Sequence, residues 1–255
     1  MNSIRHLNTY VERMEKSCLD KLFFIDKLYD PIHTILDFGC ANGVLIKAMQ
    51  LVLPECSYIG YDISREMLKR AKENVPDGIF HHDWDALSFD PDKTMINISS
   101  TVHEVYAYGD EQSVATFWKR VFGSGFRYIA IRDMMLSEAL PDQVSDEDLA
   151  RVRQLFPEKL AEFESIWGSI SQRHNFVHYL LKYRYTENWD REVRENYLPL
   201  PMEALIRMIP EDYEIIYQEH YVLPFIRQHI LDDSGIDLTD ATHFKLLLRL
   251  NKRKR

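Results

Sequence analysis

The residues richest in chemical content are a glycine-containing loop, Asp37-Phe38-Gly39-Cys40-Ala41-Asn42-Gly43, and an acid, Asp62, about 20 residues beyond it. Gly39 and Gly43, with the small Ala41 between them, permit a tight turn and a close backbone approach to a ligand. Asp62 can accept the hydroxyl protons of a ribose, which suits an adenosine-containing cofactor. A nicotinamide dinucleotide is the natural rival, but its G-x-G-x-x-G fingerprint would end here on Val44, and the rival loses ground.

A second group of candidates could move a proton or position a substrate. His103 has the intrinsic pKa of a general base near neutrality, and neighbouring Glu104 could orient it or bind an amine. Adjacent residues on a helix point in different directions, so a helical segment there would present at most one of them to a cleft. His174 and His178 stand i, i+4 and invite a metal reading, but Asn-Phe-Val lies between them, no third ligand stands out, and no metal is expected. Tyr179, Tyr183, Tyr185 and Trp189 could stack on a planar acceptor, with Arg173, Lys182, Arg184, Arg191 and Arg194 answering negative charge. Glu187, Asp190, Glu192 and Glu195 oppose a pure phosphate groove, and packing of a helical lid explains many of the aromatics equally well.

These groups need elements to hold them. Strand-like and helix-like segments alternate from Ile32: HTILDF, VLIKAMQLVL, SYIGYDI, REMLKRAKENV and GIFHHDW, the pattern of successive βαβ units on a parallel sheet. TMINISS predicts a fourth strand, a helix follows with Val114, Phe117, Trp118, Val121 and Phe122 at helical spacing, and RYIAIRD predicts a fifth strand. Residues 137–200 show no strand pattern and read as inserted helices, with Ser145 and Asp148 as a capping box and Leu160, Phe163 and Trp167 on one face. A helix using Met202, Leu205, Ile206 and Ile209 leads to a strand near YEIIYQEHYV. The closing THFKLLLRL alternates Phe244, Leu246, Leu248 and Leu250 with Lys245 and Arg249, as a half-buried strand does. The expected fold is α/β: a Rossmann-like, seven-stranded, mostly parallel sheet with flanking helices, a helical N-terminal extension over 1–30 and a helical insertion after the fifth strand. One domain over 1–255 is the default.

Composition narrows the setting. A net charge of -9 argues against a surface that grips nucleic acid mainly through its phosphates, although a local basic cleft is compatible with it. Cys18, Cys40 and Cys56 are odd in number and lack metal-like spacing, which points to a reducing compartment and a cytoplasmic setting. No stretch has the length of an apolar membrane span and MNSIRHLNTYVERMEK has no signal-peptide core, so no membrane role is expected. The basic run Asn251-Lys252-Arg253-Lys254-Arg255 reads first as a solvated terminus.

ILDFGCANG, YIGYDIS and HHDWDAL resemble, in order and spacing, the first three motifs of class I S-adenosylmethionine-dependent methyltransferases, over roughly residues 32–135. The resemblance implies that Asp37 and Gly39 line the methionine end of the cofactor and that Asp62 binds its ribose. It also implies that Ile63 and Met67 flank adenine, and that Asp83 with Trp84 meets the exocyclic amine and ring face. Cys40, Ala41, Gly43 and Ser99 fall along the same cofactor. Met67 also belongs to an apolar stripe with Leu68 and Ala71, so a core role stays open for it, as it does for Trp84. His81-His82-Asp83 is explained by the same motif.

In this fold, acceptor-side groups follow the fourth strand, here Ser99 to Tyr106. The resulting expectation is an enzyme that moves a methyl group from S-adenosylmethionine to oxygen or nitrogen of a small or medium acceptor. His103 and Glu104 are the catalytic candidates; Tyr106, Arg132, His178, Tyr183, Tyr185, Trp189 and Arg191 are the acceptor-side candidates. An Asp-Pro-Pro-Tyr run, a Pro-Cys nucleophile and a Lys-Asp-Lys-Glu tetrad are all missing, which removes several nucleic-acid chemistries. Methylation of RNA or a nucleotide-containing substrate through the aromatic and basic insert is the second reading. A cofactor-binding protein without catalysis is the third.

Overall fold

The computed structural model describes residues 17–251; residues 1–16 of the expected N-terminal extension and the basic run beyond Asn251 lie outside them. Before the sheet come a short helix, α1 (Cys18–Lys21), and a 3-10 turn, Ile25–Lys27. The chain then alternates β1 (Thr34–Phe38), α2 (Val44–Val52), β2 (Ser57–Tyr61), α3 (Arg65–Asn74), β3 (Ile79–His81) and β4 (Thr94–Ser99). Helices α4 (Val102–Tyr108) and α5 (Glu111–Gly123) lead to β5 (Tyr128–Met134).

The seven strands run in the order β3-β2-β1-β4-β5-β7-β6, with β6 spanning Tyr213–Tyr221 and β7 His243–Leu250. The registers Asp37↔Gly60, Asp37↔Asn97 and Ser99↔Arg132 set the first five strands parallel. Leu250 N–H donates to Arg127 O while Met135 N–H donates to Thr242 O, so β7 runs against β5. Thr242 N–H to Tyr221 O and Asn251 N–H to Asp212 O set β6 against β7 in turn. The mostly parallel sheet expected from the alternation is therefore present. Strand order reverses between β1 and β4, and it is outside the C-terminal ends of such strands that an open α/β sheet holds its ligand.

The local signals that start each helix are legible in the residues. The Ser64 side chain accepts the N–H of Met67, and Asp110 accepts the N–H of Ser113, capping α3 and α5. Helix α2 begins instead after Gly43, in the left-handed region at φ 76. β7 departs from simple alternation: Leu246, Leu247 and Leu248 are all fully buried, so both of its faces are covered.

The described chain divides into two compact units. The sheet unit holds 17–133, Ile209–Glu219 and 245–251. Its core packs Phe24, Ile35, Ile46, Met49, Met95, Tyr128 and Leu247 together. The helical unit holds Met134–Met208 and His220–Phe244. It is built from α6 (Asp146–Leu155), α7 (Pro157–Trp167), α8 (Arg173–Lys182), α9 (Trp189–Glu192), α10 (Met202–Arg207) and α11 (Pro224–Ser234). Ser145 accepts the N–H of Asp148 at 3.1 Å, as the capping box predicts. Leu160 and Phe163 are buried, with Trp167 packed against the same cluster. Among the described residues, no helix is long and apolar enough to cross a membrane, and Cys18, Cys40 and Cys56 are free thiols.

Candidate active site

The loop between β1 and α2 takes the form its glycines suggested, with left-handed backbone at Gly39 (φ 79), Ala41 (φ 44) and Gly43 (φ 76). Packing within the sheet unit also calls for these glycines. A Cβ at Gly39 would lie 2.3 Å from Thr101 Oγ1, and one at Gly43 would meet Ala71 at 3.1 Å. Protein atoms of α3 and of the segment before α4 thus occupy the space the glycines leave, packing the loop against the sheet unit.

Asp62 anchors this loop. Its Oδ2 accepts the N–H of Ala41 at 2.9 Å and its Oδ1 accepts the N–H of Ser64 at 2.7 Å. A carboxylate offers about four lone-pair directions, so each oxygen keeps capacity for a further donor such as a ribose hydroxyl. Asp37 is buried and accepts from Asn97 Nδ2 at 2.7 Å, while Asn97 Oδ1 accepts from Ser99 Oγ at 3.1 Å. Burial raises the Asp37 pKa to about 6, against the lowering effects of Asn97 and the Lys21 charge. Asn97 and Lys21 were not singled out in the sequence. Register places Asn97 opposite Asp37, a relation that only pairing of β1 with β4 creates.

Around the expected adenine position, Ile63 is 62% exposed immediately beside Asp62, whereas Met67 is buried with Ala71 in the α3 stripe. Asp83 accepts the N–H of Asp85 at 3.0 Å and caps the turn that carries Trp84. Trp84 sits in an aromatic cluster, 5.7 Å from Phe38 and 5.8 Å edge-on to Tyr61, with the Arg120 guanidinium 5.6 Å from its ring. Cys40 is buried, and its thiol is pushed well above its ordinary pKa by burial. It is a packing group and not a reactive thiolate.

On the acceptor side, His103 lies on α4 and is buried. Its Nδ1 is 2.6 Å from Asp133 Oδ1, and Asp133 Oδ2 accepts the backbone N–H of Val102 at 2.7 Å and of His103 at 3.3 Å. Asp133 stands near the end of β5, in the segment RYIAIRD, where no local pattern marks it as functional. Glu104 is half-buried on the next helical position. Tyr106 accepts the Trp118 indole N–H at 3.0 Å. Arg132 is held by Asp20 at 2.8 Å and donates to Ser100 Oγ at 2.9 Å.

The insertion residues fall in the helical unit, mostly inside its core. Tyr179, Tyr183 and Trp189 are buried there; Tyr183 donates to Asp233 at 2.6 Å and Trp189 to Glu162 at 2.7 Å. Tyr185 is partly buried against the same core. His178 is fully buried, and its Nε2 accepts the N–H of Tyr197 at 3.2 Å. Burial holds this imidazole well below its ordinary pKa, so the ring is neutral and Nδ1 carries the proton. Arg173, Arg184 and Arg191 pair with Asp240 (2.5 Å), Asp233 (3.1 Å) and Glu195 (3.2 Å). Two clefts of about 460 and 640 Å³ open in this unit, the first beside Lys159 and Tyr183, the second between Ser137, Glu138, Arg173 and His174. Neither is lined by the glycine loop.

The donor set of the sheet unit fits an adenosine-bearing amino-acid cofactor: Asp62 keeps acceptor capacity, Ile63 offers open apolar surface beside it, and Asp37 lies one strand away. Solved structures share this fold. The plantazolicin methyltransferase BpumL, in complex with a monoazolic desmethylPZN analog and SAH, superimposes with a TM-score of 0.52 at 13% identity, covering 95% of this chain and 85% of that one. A putative S-adenosylmethionine dependent methyltransferase from Listeria monocytogenes does so at 0.50 and 12%, covering 92% and 99%. The pyocyanin biosynthetic protein PhzM does so at 0.52 and 12%, covering 94% and 57%. No curated protein sequence matches the chain. The model of the family described as "Methyltransferase domain" matches residues 30–184. On that match the chain belongs to the methyltransferase-domain family, as a class I S-adenosylmethionine-dependent enzyme.

Proposed function

We propose that this enzyme methylates an oxygen or nitrogen that carries a removable proton on a small or medium-sized acceptor, with His103 as the proton acceptor and Asp133 as the residue that positions it. The observation carrying this reading is the 2.6 Å contact between His103 Nδ1 and Asp133 Oδ1. A carboxylate on Nδ1 fixes the tautomer with its proton there, which leaves Nε2 as the basic lone pair. S-adenosylmethionine, when bound, supplies a methyl group on an electrophilic sulfonium. The chain's own task is then to align the acceptor, exclude water and take up the acceptor's proton.

Asp37, Gly39, Ala41, Asp62 and Ile63 would hold the cofactor along the glycine loop, with Asp62 receiving the ribose hydroxyls. Cys40, Gly43, Met67, Trp84 and Ser99 support that surface by packing and hydrogen bonding. The second reading, RNA methylation through the insert, has less support, because Arg173, Arg184 and Arg191 are already neutralised by acids. BpumL, which shares the fold, was crystallised with a desmethylPZN analog, so such analogs belong in the first acceptor screen. A reducing, cytoplasmic setting agrees with the free thiols.

The test begins with calorimetry of S-adenosylmethionine, S-adenosylhomocysteine and NAD, followed by labelled methyl transfer to metabolite, peptide and RNA pools. Binding of the sulfur cofactors alone, with label entering a proton-bearing oxygen or nitrogen, supports the reading. Label in RNA only would overturn the acceptor assignment, and NAD binding would overturn the cofactor assignment.

A further inference from the structure

Ser100, between β4 and α4, stands in the left-handed region at φ 55, where an L side chain is disfavoured and glycine is the default. Such a residue persists where its surroundings over-determine it. Here two contacts come from one residue of β5: Ser100 N–H donates to Arg132 O at 2.8 Å, and Ser100 Oγ accepts from Arg132 Nη1 at 2.9 Å. Glycine would keep the first bond and lose the second. What serine adds at this strained position is therefore the hydroxyl contact.

Arg132 is itself held. It is 3% exposed, and its Nε donates to Asp20 Oδ2 at 2.8 Å, while Lys245 of β7 pairs with Asp20 Oδ1 at 2.7 Å. The planar fork of a guanidinium lets one group meet the α1 carboxylate and the Ser100 hydroxyl together. Asp133, the next residue of β5, grips the same junction through Val102 N–H and the His103 ring. Consecutive strand residues project to opposite faces of a sheet, so the two hold the junction from different directions. Between them, Thr101 Oγ1 lies 3.3 Å from Phe38 O, where β1 gives way to the glycine loop.

We propose that Ser100, locked by Arg132, is a positioning residue: its strained turn sets the start of α4 and so fixes the His103 ring relative to the glycine loop. This rests on the reading of His103 as the proton acceptor. Arg132, an acceptor-side candidate in the sequence, then acts through the chain's own atoms.

The experiment follows two readouts in Ser100→Gly, which removes the hydroxyl and suits the left-handed backbone, so that the variant folds. One is kcat on the acceptor found by labelled transfer. The other is the NMR signal of the His103 Nδ1–H proton shared with Asp133, assigned by its loss in His103→Ala. The signal should shift or broaden and kcat should fall on the order of tenfold, as misplacement of a reacting group does, with S-adenosylhomocysteine affinity nearly unchanged. Arg132→Lys keeps a cation for Asp20 without the fork and should behave alike. The double variant should be no worse than either single one, because both remove the same contact. An unchanged signal in Ser100→Gly overturns the proposal whatever kcat does, and additive losses in the double variant overturn the part given to Arg132. A wild-type kcat in Ser100→Gly overturns it too where His103→Ala is impaired. If His103→Ala transfers methyl groups at the wild-type rate, the proton-acceptor reading fails, and the Nδ1–H signal still decides whether the turn places the ring.

Discussion

Asp133 holds His103 by both ring and backbone: Oδ1 meets Nδ1 at 2.6 Å and Oδ2 accepts the backbone N–H at 3.3 Å. The residues are far apart in sequence and meet because β4 and β5 are parallel neighbours whose ends carry α4 and Asp133. The same carboxylate accepts the N–H of Val102, so it stabilises the start of α4 while fixing the tautomer of the imidazole it carries.

Asp133→Asn breaks this arrangement without changing its volume. An amide cannot accept on both sides, so either the helix start faces an N–H donor or the ring proton moves to Nε2 and the base is lost. The expected result is a fall in kcat on the order of 10²-fold with S-adenosylhomocysteine affinity nearly unchanged, and His103→Ala should match it. Single-turnover methyl transfer against pH, beside calorimetry, checks this: the acidic limb of the wild-type profile should vanish in His103→Ala. Retention of that limb would remove His103 from proton transfer.

Asp62→Ala should weaken S-adenosylhomocysteine binding by at least roughly tenfold, because two hydroxyl donors lose a charged acceptor. It should also lower stability by about 1–3 kcal/mol, since the N–H groups of Ala41 and Ser64 lose their partner. A thermal melt and a titration on the same preparation separate the two effects. Full cofactor affinity in a folded variant would place the ribose elsewhere.

The alternation of strands and helices, the loop before α2 and Asp62 were legible because each is a local pattern with one physical solution. Asp133 and Asn97 were not, since their roles depend on strand neighbours that sequence spacing does not specify. Helix α11 escaped notice because Phe225 and Leu231, both more than a third exposed, face differently from the buried Ile230 and blur any single apolar stripe. The aromatic insert was ambiguous for another reason: a stacking platform and a helical core call for the same residues at the same spacing. Burial of Tyr179, Tyr183 and Trp189 places these three with the core. Lys21 carries no motif in the sequence, and its burial is a product of the fold.

Gly39→Ala tests the packing role of the loop. The new Cβ would sit 2.3 Å from Thr101 Oγ1, and φ 79 disfavours any side chain. Left-handed backbone costs roughly 1–2 kcal/mol and overpacking a further 1–3 kcal/mol or so, so a loss of several kcal/mol is expected in denaturant melts. Adding Thr101→Gly should recover the overpacking part only. Full recovery would mean that the backbone conformation itself is unstrained for alanine.

Lys182 predicts an unusual pH dependence of stability. It is fully buried in the helical unit, donates to the carbonyl of Glu192 at 2.5 Å and to that of Glu195, and lies 4.4 Å from the Tyr197 ring centre. Burial outweighs the favourable charges of Glu195 and Glu192 and brings its pKa from 10.5 down to about 7. The folded value thus lies below the unfolded one. Above pH 7 the unfolded chain keeps a proton that the folded chain has released, so raising the pH favours the folded state, by up to roughly 1 kcal/mol per pH unit. Lys21, at about 8, adds to the same trend at higher pH. The buried hydroxyls of Tyr179 and Tyr197, with raised pKa, reverse it once unfolded tyrosine ionises near pH 10. Urea midpoints should therefore climb between pH 7 and 9 in the wild-type chain. Lys182→Met should flatten that climb while lowering the midpoint, because the carbonyls of Glu192 and Glu195 lose their donor. An equally steep climb in the variant would show that Lys182 stays protonated in the folded chain and that the trend belongs to Lys21.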